Sequence, residues 1–223
     1  MPSTSIANVQ AEPRLNSIPV TFEQANQGVA SWPATWLPAA SLISSRRNAS
    51  PRRLTAPAPT TEQLNAILLL AGAAPDHGHL TPWRFVIIPN EKRTLLAEAF
   101  ALALVERDPG STLAQMEAAR EKAYRSPLLM IAIARLADLA DEISTAERLV
   151  SLGAALQNLL LGAQALGYGA GLTSGKGITS RAIRALFNTA SNEEPVCFVS
   201  IGTPGGLRGP RPRPQVETFT TTL

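Results

Sequence analysis

Between Leu149 and Leu166 the chain runs for eighteen residues without a charge, directly after Glu147 and Arg148. The stretch reads as one helix from about Thr145 to Leu166, with Gly167 suited to its C-terminal stop. At about 1.5 Å per residue such a helix spans roughly 33 Å. That approaches a membrane span, but Ser151, Gln157, Asn158 and Gln164 interrupt it, as do the small Gly153, Ala154, Ala155 and Gly162. A helix apolar on nearly every side is more simply one buried in a protein interior, long enough to run through a domain and onto a subunit interface. No membrane association is expected.

The rest of the composition agrees with a packed, associating protein. With 223 residues, the chain is one large domain or one domain with an appendage. Hydrophobic residues make up 45%, enough for a proper core, which excludes general disorder. Charged residues are only 17%, against roughly 25% in a typical soluble domain. So charge-poor a surface suggests cover by another subunit. The net charge is +3, and the basic residues are overwhelmingly Arg, with Lys only at 92, 122 and 176. The few aromatics are not interleaved with them as a stacking platform requires, so nucleic acid is not an expected partner.

Cys197 sits among Pro195, Val196, Phe198 and Val199 and reads as a small buried hydrophobe. A lone cysteine allows neither an intrachain disulfide nor a cysteine-based metal site. The two histidines, His77 and His79, are not spaced as a helical metal pair, and no metal is expected. No side chain stands out as a catalytic group, so demanding chemistry calls for a borrowed cofactor.

Residues 1–38 read as an N-terminal extension or arm, rich in Pro, Ser, Thr, Asn and Gln, and residues 39–223 as the main domain. The extension lacks the basic start and continuous apolar run of a secretory signal, so a cytoplasmic location is expected. Its apolar islands Phe22, Val29, Trp32 and Trp36 suggest packing on the body or on a partner subunit.

In the main domain, Thr60 with Gln63 forms a capping box for a helix to about Ala73. Arg84–Ile88 reads as a buried strand, and Asn90 as the cap of a helix over 91–107. A second helix spans about 112–124, and further strands lie at 128–134 and 195–201. Few strands among several helices give α+β or α/β. The segment Gly167–Gly175 follows a helix rather than a strand, so it is not a Rossmann turn. It reads as a flexible loop with unhindered backbone N–H groups, suited to the polar edge of a cofactor.

Arg46 and Arg47 offer forks of donors that match a phosphate, and Asn48 adds amide groups for a hydroxylated chain. A solvated basic turn is the alternative reading. His77, after Pro75 and Asp76, can donate to a ligand or be an ordinary loop histidine.

Taken in order, these pieces resemble the nitroreductase family of flavin mononucleotide enzymes, in particular its YdjA-like branch. The likeness is carried by Arg46 to Ser50, by the capped helix running into Ala74, Pro75, Asp76 and His77, and by Pro82, Trp83, Arg84 and Phe85. Gly167, Tyr168 and Gly169, then Thr173, Ser174 and Gly175, and finally Ile201 to Pro204 complete it. The resemblance implies an α+β fold with a mixed central sheet flanked by helices, and a homodimer binding one FMN per subunit at the interface. It implies that Arg46, Arg47 and Asn48 contact the phosphate and ribityl chain, that His77 contributes from the partner chain, and that Leu172, Thr173 and Ser174 line the isoalloxazine ring. Gly162–Gly167 matches a stretch linked to the nicotinamide nucleotide, and Arg208 or Arg211 supplements the phosphate site.

The implied activity is ping-pong hydride transfer from NAD(P)H as co-substrate to nitroaromatic, quinone or similar small acceptors. Four positions depart from the family pattern. Ala73 and Ser50 stand where an arginine and a lysine are usual, Thr81 replaces a glutamine, and Arg84 replaces a histidine. Losing positive charge beside the flavin N1 edge disfavours reduction, and this motivates an alternative: a flavin-binding protein with weak or no turnover, acting as carrier or regulator.

Overall fold

The computed structural model describes residues 33–138, 141–206 and 213–223. The chain forms two compact units, Met1–Ser44 with Gly209–Leu223, and Ser45–Arg208. The first unit holds nearly all of α1 (Trp36–Ser45), whose buried residue is Ala40. Within it Arg213 Nη2 donates to the carbonyl of Ser44 at 3.2 Å, and a 3-10 turn forms at Val216–Thr218. Trp36 is half-buried; Phe22, Val29 and Trp32 lie outside the described residues.

The second unit carries the sheet. Its elements are β1 (Leu54–Thr55), α2 (Thr61–Gly72), β2 (Trp83–Ile87), α3 (Arg93–Arg107), α4 (Leu113–Arg120), β3 (Leu128–Arg135), α5 (Thr145–Ala165), β4 (Gly169–Thr173), α6 (Arg181–Leu186) and β5 (Glu193–Pro204). The strand order is β1-β5-β3-β2, with β4 also paired to β5. All four strand pairs are antiparallel. The mixed character expected of the sheet reduces, among the described residues, to an isolated parallel bridge between Asn48 and Ala170.

β3 and β5 are apolar on both sides because helices cover both faces of the sheet. Alternate residues point to opposite faces, so Met130, Ala132, Val199 and Ile201 pack with Leu152, Leu156 and Leu159 of α5 and Leu64 and Ile67 of α2. Leu129, Ile131, Ile133 and Phe198 pack instead with Leu96 and Ala99 of α3 and Ile183 of α6. The helix starts follow from local chemistry. Thr60 with Gln63, Thr112 with Gln115 and Ser144 with Glu147 each form a reciprocal capping box. Asn90 does not act as the expected cap: it opens a 3-10 turn, Asn90–Lys92, and α3 begins after it with no side-chain cap.

α5 fulfils the expectation of a long helix but is not enclosed all round in one chain. Ser151, Leu152, Ala155, Leu156, Leu159 and Leu160 are buried, while Val150 is 73% exposed. Among the described residues no helix is long and apolar enough to cross a membrane.

The larger difference concerns 167–175. Instead of a flexible loop throughout, residues 169–173 form β4, in register with Gly202 to Phe198 of β5. Glycines that suggested mobility serve close approach: a Cβ on Gly171 would run into the carbonyl oxygen of Ala49.

Candidate functional site

The segment after α1 reaches the sheet through Asn48. Its backbone bridges Ala170, the next amide, Ala49 N–H, donates to Ala170 O at 2.9 Å, and the Asn48 Oδ1 accepts from Leu172 N–H at 3.0 Å. The structure thus joins two groups of candidate residues, 46–48 and 172–174. Arg46 and Arg47 are half-buried just before this contact, and Thr173 and Ser174 are exposed just after it. One expectation changes: the Leu172 N–H is occupied by Asn48, so backbone donation to a ligand falls to the positions beyond it.

Behind Thr173 and Ser174 lies a cavity of about 390 Å³, within the roughly 300–1,000 Å³ range of small-molecule sites. One rim is Ser50, Pro51 and Arg52, another is Thr173 to Ile178, and the floor includes Phe100, Leu104, Phe198 and Ser200. Among the described residues Arg52, Arg107, Lys122, Arg125 and Lys176 line it, and no carboxylate does. Burial, then Arg125 and Arg107, push the Lys122 ammonium below its ordinary range. Burial, then Arg52, lower Arg125, with Glu121 acting the other way. These cations were not among the residues singled out from sequence. The available signal was scarcity: two of the chain's three lysines, Lys122 and Lys176, line this cavity.

His77 is held apart from the other candidates. It opens the 3-10 turn His77–His79, is 70% exposed, and its Nδ1 lies 3.0 Å from Glu147 Oε1. That bond and those from Ser144 hold the Glu147 carboxyl at about 2. At the other end of α5, Gln164 Nε2 donates to Ser45 Oγ at 2.9 Å, beside the Arg46–Asn48 segment. Glu147 and Gln164 are seventeen residues apart on α5, so the two ends lie about 25 Å apart. Within one chain His77 and the Arg46–Asn48 segment therefore stand towards opposite ends of α5.

Gly162 is buried, and a Cβ there would press on Leu70 of α2, whereas Leu166 and Gly167 are exposed. Arg208 and Arg211 lie outside the described residues. Burial pushes the Cys197 thiol up to about 11, as suits an inert core residue. Arg84 is engaged in structure: its Nε and Nη2 each donate to a Glu193 carboxylate oxygen at 2.8 Å.

Comparison with known proteins bears on this geometry. A protein of Haemophilus influenzae provisionally named NAD(P)H nitroreductase is 34% identical over 165 residues, covering 74% of this chain and 88% of that protein. The Escherichia coli K12 protein YdjA, provisionally named in the same way, is 31% identical over 183 residues, covering 80% and 97%. A crystal structure of a mutant of the FMN and NADPH-dependent nitroreductase NfnB, from sphigopyxis sp. strain HMH, superposes with a TM-score of 0.67 at 16% identity, covering 82% of this chain and 98% of that one. The nitroreductase family profile matches residues 43–203, the stretch that contains the Asn48–Leu172 contact, the cationic cavity and the whole sheet apart from the last residue of β5. The chain therefore belongs to the nitroreductase family.

Proposed function

We propose that this chain is an FMN-dependent oxidoreductase that takes electrons from NAD(P)H and, in a ping-pong sequence at one site, reduces a small acceptor such as a nitroaromatic or a quinone. The observation that carries the reading is the Asn48–Leu172 hydrogen bond, which sets the basic segment 46–48 against the strand end that borders the cavity. The named relatives supply NAD(P)H, and NfnB supplies FMN, as the precedent.

The residues present fit the group. FMN combines an anionic phosphate with a planar ring whose rim is polar. Arg46 and Arg47 are forks of the kind that match a phosphate, and the cavity is lined by cations above an apolar floor, with the buried Ser200 Oγ lacking a hydrogen-bond partner among the described residues. Bound flavin supplies a two-electron hydride acceptor and donor. Asn48 fixes the strand end, Arg46 and Arg47 beside it would hold the phosphate, and the exposed Thr173 and Ser174 would offer polar groups to the ring.

The reading includes a homodimer, with His77 contributed by the second copy to each site. The separation along α5 supports this, as do the exposed apolar residues Leu69 of α2 and Val150 of α5. It also assigns flavin binding to residues 39–223 and leaves 1–38 as an arm outside the site.

The test is an absorption spectrum after incubation with FMN and desalting, followed by anaerobic addition of NADPH and then NADH. Retained flavin bands that bleach are expected. Protein that stays colourless overturns the reading; flavin that is retained but never bleached favours the binding-protein alternative.

A further inference from the structure

The cavity between Ser50–Arg52, α3, the turn after α4 and residues 173–178 has a one-sided charge balance. Arg52, Arg107, Lys122, Arg125 and Lys176 reach it from four separate stretches of chain. Among the described residues none of these five forms an ion pair, whereas Arg84, Arg120, Arg148 and Arg181 each pair with a carboxylate elsewhere. Like charges gathered this way repel one another, and an anionic occupant relieves the repulsion. Lys122 and Arg125 register that cost, because burial and then neighbouring cations disfavour the charged form of both.

A second, independent sign lies on the floor. Ser200 of β5 borders the cavity and is fully buried, yet its Oγ has no hydrogen-bond partner among the described residues. A buried hydroxyl left so is costly, and one at the wall of a cavity is satisfied by a polar atom of whatever enters. Around it the floor is apolar: Phe100 and Phe198 meet edge to face with ring centroids 5.2 Å apart, beside Leu104 and Leu129. Cations at the rim, one unanswered hydroxyl and an apolar floor select a molecule with a charged group on an apolar body.

We propose that this cavity binds a small organic anion, a carboxylate or phosphate ester carried on an apolar body, as a ligand separate from the cofactor. The inference goes beyond the flavin reading and stands on the cavity's own residues, wherever a flavin lies. Arg46 and Arg47, which that reading gives to the cofactor phosphate, do not line the cavity. Its volume of about 390 Å³ holds a body of one or two fused rings.

The experiment measures the dissociation constants of 2-naphthoate and of its neutral amide, 2-naphthamide, by titration calorimetry on the full chain, before and after loading with FMN. The anion is expected to bind about tenfold more tightly than the amide, and added salt to narrow the gap. Arg52→Gln and Arg125→Gln are each expected to cut that preference about threefold, while Lys92→Gln, outside the cavity, keeps it. Arg52 is exposed on a 3-10 turn, so its variant is expected to fold even if Arg125→Gln does not. Ser200→Ala is expected to weaken naphthoate binding and to melt no lower than wild type, because its hydroxyl has no partner among the described residues to lose. Equal binding of the two ligands, binding of neither, or a preference that survives neutralisation of Arg52 overturns the inference. Direct competition between FMN and naphthoate also overturns it and gives the cations to the cofactor. A chain that retains no flavin but keeps the preference for the anion overturns the flavin reading and leaves this inference standing.

Discussion

Arg84 and Glu193 are 109 positions apart and form a two-pronged ion pair, with a further Arg84 Nη2 bond to the carbonyl of Phe187 at 3.1 Å. Only 11% of the Glu193 side chain is exposed. The Arg84 guanidinium holds the Glu193 carboxyl below its ordinary value of 4.5. A carboxylate whose folded value is depressed contributes stability that is present above its unfolded value and is lost as pH falls through the folded one. Glu193→Gln is therefore expected to cost about 1–3 kcal/mol at neutral pH. Its urea midpoint should also vary less than that of wild type as pH drops below about 5. Equal acid sensitivity of the two proteins would count against the pair. The same contact gives the arginine at 84 a structural role. It ties the start of β2 to the start of β5, so nothing about it speaks of acceptor choice. Sequence alone places Arg84 on a strand but not its partner, because that pairing depends on strands far apart in the chain.

Among elements, those defined by neighbours were legible and those defined by distant partners were not. The capping box at Thr60 and the uncharged run after Arg148 declare α2 and α5 within a few residues, because the hydrogen bonds and the apolar pattern are local. β4 is different. Gly169, Gly171 and Gly175 have poor strand propensity, and residues 169–173 become a strand only because β5 offers a partner and the Asn48–Ala49 backbone closes over them. Gly171→Ala places a methyl where Ala49 O already sits. It is expected to push Asn48 off Leu172, lower stability by about 1–3 kcal/mol and weaken FMN retention, read by thermal melts and by flavin fluorescence after desalting. Unchanged retention would mean that the Asn48 contact is not part of the site. Of the residues that sequence named, Asn48 and Leu172 meet; the cations around the cavity were hidden because they come from four separate stretches.

For the whole molecule, the fold class was within reach because few strands and several helices leave α+β among few arrangements, and five ordered motifs resemble one family. Association is where the molecule now makes its own prediction. Leu69 is 77% exposed and Val150 73% exposed on two helices that pack together. Leu69→Glu with Val150→Glu is expected to convert a dimer to a monomer in sedimentation and to abolish flavin retention. A wild-type chain that sediments as a monomer would contradict the shared site. α5 itself acts as a ruler. One inserted residue would turn everything beyond it by about 100° and shift it by about 1.5 Å. The Glu147–His77 end and the Gln164–Ser45 end could then not both keep their partners. Length variation in relatives of this chain should accordingly gather in the connections and spare this helix, whose residue count is as much a specification as any side chain on it.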